Sequence, residues 1–390
     1  MPNLTILQGD ALEQLRTIPD GSVQVCVTSP PYYGLRSYLK SDDPLKASEI
    51  GAEQTPQQYV DRMVEVFREV RRVLREDGVL WLNLGDSYGG SSGVHAGGSD
   101  KARSNTGAVN ATLPSKGGRA KDLLMIPERV ALALQADGWY LRAKCPWIKR
   151  NAMPESAKDR PTTVVEIIFM LTKSERYHYD AEAVKVAATC DRMRGPAEHA
   201  DMVSTNGNGG LSRRKPRATR SRRSSDWFLE SWQGLLQDDE GDPLAFVINP
   251  VSYRGAHFAC FPPKLVQPCI EASTSAHGAC PECGAPFQRV LVREPSDWAA
   301  RKAMGEPTRH GLAGAAAVGA GNFQGETATT TGWKPTCDHT HTHTMPCVVL
   351  DPFGGSGTTA QVALALGMRP TVIELNSDYI PLIKQRCGVA

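Results

Sequence analysis

Val348-Val349-Leu350-Asp351-Pro352-Phe353-Gly354-Gly355-Ser356-Gly357-Thr358-Thr359 is the stretch whose reading decides the fold. An apolar strand enters a loop with three glycines, and a helical pattern begins at Thr358. Glycine lets the backbone come close to a ligand, and the first turn of a helix offers N–H groups with no intrahelical partner. A second strand, Thr371-Val372-Ile373, ends in Glu374. An acid at that tip is placed to accept hydrogen bonds from ribose hydroxyls. The loop alone favours a tight structural βα turn; loop and acid together point to an adenosine-containing ligand. The Gly-Lys-Ser/Thr ending of a triphosphate-binding loop is missing, which argues against a nucleoside triphosphate.

Working outward, the same alternation recurs. Residues 4–7 and 23–27 read as strands with a helical pattern between them. Over 57–75, Tyr59, Met63, Phe67, Val70 and Leu74 share a helix face, with Asp77-Gly78 expected to stop the helix before a strand at 79–84. A helix at 123–137, strands at 139–147 and 164–171, and a helix at 262–273 follow. The chain closes strand, glycine loop, helix, strand, helix over 347–387. This predicts an α/β architecture with a largely parallel sheet. Residues 85–119, rich in Gly, Ser, Asn and Ala, have no period and read as a long mobile loop.

Lys and Arg number 44 against 42 Asp and Glu, a formal charge of +2, so any site for a polyanion must be local. No window of 18 apolar residues occurs, which argues against a membrane span. The first ten residues, MPNLTILQGD, carry no signal-peptide pattern, and a reducing cytoplasm is the expected location. The 10 cysteines then read as thiols or metal ligands rather than disulfides.

At the end of the second strand stands Thr28-Ser29-Pro30-Pro31-Tyr32. Two consecutive prolines make a stiff turn without N–H donors, so the Ser29 hydroxyl and nearby carbonyls can converge on one donor. Tyr32 adds a flat face. Such a loop suits a planar ligand carrying an exocyclic amine, although Ser-Pro-Pro alone reads equally as an ordinary loop exit.

Taken together, these residues resemble the amino-methylating DNA methyltransferases, which modify N4 of cytosine or N6 of adenine. Ser29-Pro30-Pro31-Tyr32 is similar to the family's catalytic tetrapeptide, and Asp351 to Gly357 to its cofactor loop. The order, catalytic loop first and cofactor loop last, resembles the circularly permuted β group. Gly9-Asp10 resembles the motif that meets the cofactor's adenine. Trp147-Ile148-Lys149, Met153-Pro154 and Thr172-Lys173-Ser174 resemble the segments flanking the target-base pocket. His257 to Pro262, with Phe261, resembles the motif beside the methionine end, and Glu374-Leu375-Asn376 the ribose-binding end. The resemblance spans about residues 3–180 and 250–388.

The resemblance implies a Rossmann-like S-adenosylmethionine-dependent methyltransferase fold, circularly permuted. It implies catalytic Ser29, Pro30, Pro31 and Tyr32, and a cofactor site formed by Asp10, Phe261, Asp351, Phe353, Gly354, Gly355, Gly357, Thr358, Glu374 and Asn376. Residues 1–180 would be the catalytic half, 181–250 the target-recognition region, and 251–275 with 346–390 the cofactor half. Double-stranded DNA is the implied partner, with a separately acting cognate restriction endonuclease and a homodimer as compatible associations. Acceptors at Ser29 and the Pro30 carbonyl would draw the amine hydrogens of a flipped base stacked on Tyr32. Serine at the first position leans toward cytosine N4, with adenine N6 the alternative. A methyltransferase on RNA or a protein amide, and a DNA-binding protein with a dead core, are competing readings. The permuted order and basic insert weigh against the former, and the intact motifs against the latter.

Two further clusters stand out. Arg213, Arg214, Lys215, Arg217, Arg220, Arg222 and Arg223 fall in the target-recognition gap and, with Lys149, are candidate DNA contacts; a solvated charged loop is the alternative. Cys280-Pro281-Glu282-Cys283-Gly284 is half of a zinc knuckle within an insert at 276–345. Its other half would come from Cys337 and His339, while His341, His343 and Cys347 lie close by. Reduced thiols in a turn are the competing reading.

Overall fold

A computed structural model describes residues 4–35, 37–39, 42–90, 117–149, 157, 159–184, 246–247, 262–294, 327–341 and 343–389. The strands are β1 Thr5–Gln8, β2 Val23–Thr28, β3 Leu74–Leu84, β4 Tyr140–Ile148, β5 Val165–Thr172, β6 Phe246–Val247, β7 Gln288–Glu294, β8 Thr327–Lys334, β9 Val348–Asp351 and β10 Arg369–Glu374. The helices are α1 Ala11–Leu15, α2 Pro56–Val73, α3 Ile126–Ala136, α4 Pro263–Ser273, α5 Thr358–Ala365 and α6 Ile380–Cys387. No helix among the described residues is long and apolar enough to cross a membrane.

Eight strands form one sheet in the order β1-β10-β9-β2-β3-β5-β4-β6. The first five are parallel. β5 alone reverses, running antiparallel to both β3 and β4. The late strands β9 and β10 therefore sit between β1 and β2, so opposite ends of the sequence form adjacent strands. β2 is buried on both faces, as a central parallel strand must be. Cys26, Leu80, Leu82 and Leu350 pack toward α1, α2 and α3, together with Leu15, Phe67 and Leu134. Val25, Val27, Trp81 and Val349 face the other way, against Leu265, Ile270 and Val362 of α4 and α5.

Local signals account for most boundaries. Thr55 caps α2 reciprocally with Gln58, and Pro56 takes the first helical position. Three expectations need correction. Asp77-Gly78 does not stop α2, which ends at Val73, and β3 starts at once at Leu74. Val23 pairs with Leu74 and Val25 with Val79, so 75–78 bulge out of the strand. The helix expected from 123 begins at Ile126, after Met125 in the left-handed region (φ 55°). Within the 276–345 insert, β7 and β8 form an antiparallel two-stranded ribbon that the glycine- and threonine-rich composition did not suggest.

Candidate active site

Parallel strands carry their loops to one pole of the sheet, and the candidate residues gather there. Thr28, the last residue of β2, donates to Asp351 Oδ1 at the end of β9, 2.7 Å away. That bond joins the Ser29–Tyr32 loop to the glycine loop. Asp351 is buried, which raises its pKa; bonds from Thr28, Thr359 and the Phe353 N–H oppose the rise.

The glycine loop is built against β10. A Cβ at Gly354 would lie 3.2 Å from the Ile373 carbonyl oxygen, and Gly357 takes φ +79° directly before α5. Glu374 accepts from Gly355 N–H on Oε2 (2.7 Å) and from Asn376 N–H on Oε1 (2.8 Å). Burial pushes its carboxyl up to about 7 despite those bonds. Each oxygen accepts one N–H and keeps acceptor capacity, which fits a pair of ribose hydroxyls. Beside it, Gly9 N–H donates to the Glu374 carbonyl (2.9 Å), bringing Asp10 alongside. Asp10 is buried, caps α1 through Glu13 N–H (3.0 Å) and meets Arg62 at 3.4 Å.

Asp10, Asp351, Phe353, Glu374 and the three glycines therefore share one neighbourhood, and Thr358 opens α5 above it. The Asn376 side chain is used internally, donating to the Tyr38 carbonyl (3.0 Å) and accepting from Asp378 N–H (2.9 Å). Phe261 lies outside the described residues.

On the catalytic side, Tyr59 of α2 donates to the Pro31 carbonyl (2.9 Å), fixing the proline turn from below. Ser29 Oγ and Tyr32 Oη are 3.3 Å apart. Tyr32 donates to Glu166 Oε2 at 2.7 Å. Asn83 Nδ2 lies 2.7 Å from Tyr32 Oη, 3.2 Å from Ser29 Oγ and 3.1 Å from Glu166 Oε2. Asn83 Oδ1 is buried without a protein partner. The Tyr32 ring lies on Gly85, where an added Cβ would come within 2.5 Å of ring Cε2. Burial, and next the Glu166 charge, raise the Tyr32 phenol well above its ordinary range.

Lys149 bonds Glu166 Oε1 and lies 4.7 Å from the Trp147 ring centroid. Lys149, a candidate DNA contact, is joined to the Tyr32 network through Glu166. The sequence reading missed Glu166, Asn83, Tyr59 and Gly85. Glu166 had a signal: it is the single charged residue in the strand Val165–Thr172. The basic run Arg213 to Arg223 lies outside the described residues.

At the opposite pole, Cys280, Cys283, Cys337 and His339 present donor atoms all within 4.8 Å of one another. Cys280 is buried, which opposes ionisation. Main-chain N–H groups of Cys283 and Glu282 and the neighbouring thiols outweigh that and bring it down to about 6. Three sulfurs and one imidazole nitrogen at that spacing fit a tetrahedral structural metal. Cys347 is elsewhere, at the threshold of β9 with its thiol toward the Ser275 carbonyl.

The Ser29–Tyr32 loop and the glycine loop thus stand at adjacent strand ends of one sheet that carries helices on both faces. The N6/N4 DNA methylase family model matches residues 23–280 and 343–385. The chain belongs to this family of amino-methylating DNA methyltransferases and is an enzyme of that class. It is 41% identical to the Type II methyltransferase M.Cfr9I of Citrobacter freundii over 270 residues, 69% of this chain and 72% of the relative. It is 30% identical to the Type II methyltransferase M.SmaI of Serratia marcescens over 381 residues, 98% and 89% of the two chains. Among solved structures, the cytosine-N4-specific PvuII DNA methyltransferase aligns with a TM-score of 0.47 at 16% identity, covering 99% of this chain and 88% of that one.

Proposed function

We propose that this enzyme transfers the methyl group of S-adenosylmethionine to N4 of a cytosine flipped out of double-stranded DNA. The observation that carries the reading is the Thr28–Asp351 bond, which brings the acceptor loop and the nucleoside cradle to adjacent strand ends. Glu374 and Asp10 would hold the ribose and adenine side of the cofactor, with Phe353, Gly355 and Gly357 lining its approach. When bound, the cofactor supplies an electrophilic methyl on a sulfonium.

The remaining work falls to the chain. An exocyclic amine conjugated to its ring is a poor nucleophile. Ser29 Oγ and the Pro30 carbonyl accept its hydrogens and orient its lone pair, while Tyr32 presents a face for the base. Catalysis is then positioning and electrostatics, without a covalent enzyme intermediate. Serine in place of aspartate at position 29 favours cytosine over the alternative, N6 of adenine. The order of β9 and β10 supports a circularly permuted chain. The names of the relatives support a role beside a separately acting restriction endonuclease.

The same reading includes a structural zinc at Cys280, Cys283, Cys337 and His339. It supports a sparse insert; four protein ligands leave no open position, and the cluster lies away from the Ser29–Tyr32 loop, so it takes no part in the transfer.

The test is direct. DNA methylated by the purified protein, digested to nucleosides and weighed by mass spectrometry, should yield N4-methylcytidine in its deoxy form. Deoxy-N6-methyladenosine would select the alternative base, and methylation of RNA alone would overturn the reading.

A further inference from the structure

Methyl transfer leaves a proton to be disposed of. When the amine lone pair forms the new carbon–nitrogen bond, the nitrogen becomes cationic and must lose one N–H proton to regain conjugation with the ring. Ser29 is neutral and the Pro30 carbonyl cannot keep a proton, so an ionisable acceptor is needed within reach.

We propose that Glu166 is that acceptor, reached from Ser29 through the Tyr32 hydroxyl. The inference rests on the amino-methyl-transfer reading above. Its geometry comes from the one strand that reverses. β5 enters the sheet from the pole where β2 and β3 end, so Glu166, its second residue, stands among their C-terminal loops. The line runs Ser29 Oγ, 3.3 Å, Tyr32 Oη, 2.7 Å, Glu166 Oε2.

The amine proton passes to Ser29 Oγ as the serine's own proton passes to Tyr32 Oη and the phenol's proton to Oε2. The N–H electron pair returns to nitrogen. Ser29 and Tyr32 end as they began, and Glu166 ends neutral. Two neighbours equip it for this. Asn83 Nδ2 donates across all three members of the line, and Lys149 bonds Oε1 and holds the carboxylate in place. The Tyr32 phenol is raised, not lowered, so it relays a proton without holding a charge. Glu166 does not touch the base in this arrangement; it acts through Tyr32.

Glu166→Gln keeps the size and an acceptor for Tyr32 but cannot take up a proton. Single-turnover methyl transfer should fall by about a hundredfold, within the range for loss of a positioned base. The acid limb of the wild-type pH profile should vanish in Glu166→Gln and return, displaced, in Glu166→Asp. Binding of S-adenosylmethionine by calorimetry, and the fluorescence of 2-aminopurine placed at the target position, should match wild type in both variants. Wild-type rate and an unchanged acid limb in Glu166→Gln overturn the proposal, as does loss of 2-aminopurine fluorescence, which would make the residue part of base capture. If Glu166→Gln loses its melting transition, the acid limb of Glu166→Asp decides: displaced supports, unmoved overturns. A wild-type protein that transfers no methyl to DNA overturns the parent reading and this one with it.

Discussion

The side-chain amide of Gln24 donates to the carbonyl of Gly284 at 2.8 Å. The same amide accepts from the N–H of Val348 at 2.5 Å. One buried side chain on β2 thus ties the Cys280–Cys283 turn to the first residue of β9. Arg75, in the bulge of β3, adds a bond to the Cys283 carbonyl. The cluster is anchored to the core at the pole opposite the chemistry.

Purified protein should therefore carry one zinc per chain, and Cys280→Ser should lose it and melt at lower temperature. Gln24→Ala should keep the zinc yet also melt lower. It strands a buried donor and acceptor, each costing about 1–3 kcal/mol. Metal analysis beside thermal melts separates the two effects, and metal-free protein purified without chelator would reject the site.

Glu374 sets a pH dependence. Its folded pKa, about 7, is raised above the ordinary 4.5 by burial. Stability from this group is therefore full below 4.5 and lost as pH rises through 7. With Glu374 in its proposed ribose-binding role, cofactor binding should run the opposite way, because ribose hydroxyls need the ionised acceptor. Affinity for S-adenosylmethionine should strengthen from pH 6 to 8, with proton release on binding near pH 6. Calorimetry in buffers of different ionisation enthalpy measures that proton, and Glu374→Gln should abolish it and weaken binding by about 1–3 kcal/mol.

Gly85→Ala should displace the Tyr32 ring, since the new methyl would sit 2.5 Å from ring Cε2. Methyl transfer should drop at least as far as in a Tyr32 truncation, while cofactor affinity stays at the wild-type value. Equal turnover in the alanine variant would mean that the ring does not need this floor.

The two proposals give Tyr32 two separable duties. Tyr32→Ala removes the stacking face, worth about 1–3 kcal/mol per base, and should reduce target-base capture in the 2-aminopurine assay. Tyr32→Phe keeps the face and cuts the line to Glu166, so capture should survive while single-turnover transfer slows. Ser29→Ala removes one acceptor but leaves the Pro30 carbonyl, so its activity should fall without vanishing.

The legible parts of the site were those written as contiguous motifs. The glycine loop over 351–357, the acid at 374 and the Ser29–Tyr32 turn each show their geometry in a few adjacent residues. Asn83 and Glu166 do not, because they join Tyr32 only through sheet pairing across 51 and 134 residues. Lys149 lies in a segment whose resemblance sets it beside the target-base pocket; its bond to Glu166 depends on what the neighbouring strand presents and is not written in the motif. The helix end near residue 75 was misread because Asp77-Gly78, a stop signal in isolation, serves here as a bulge inside a strand. The β7–β8 ribbon escaped notice because Thr327–Lys334 has no apolar alternation.

The interleaved strand order has a consequence during synthesis. Thr28 and Asp351 touch but lie 323 positions apart, so the catalytic loop is made long before its neighbour strand emerges. Until β9 inserts between β2 and β10, the central strand β2 has an unpaired edge, of the kind that invites wrong pairing. Closing so long a loop is entropically slow, and parallel pairing rewards it only at the end. A ribosome-bound chain short of Asp351 lacks both the glycine loop and the carboxylate that fixes Thr28 at the end of β2.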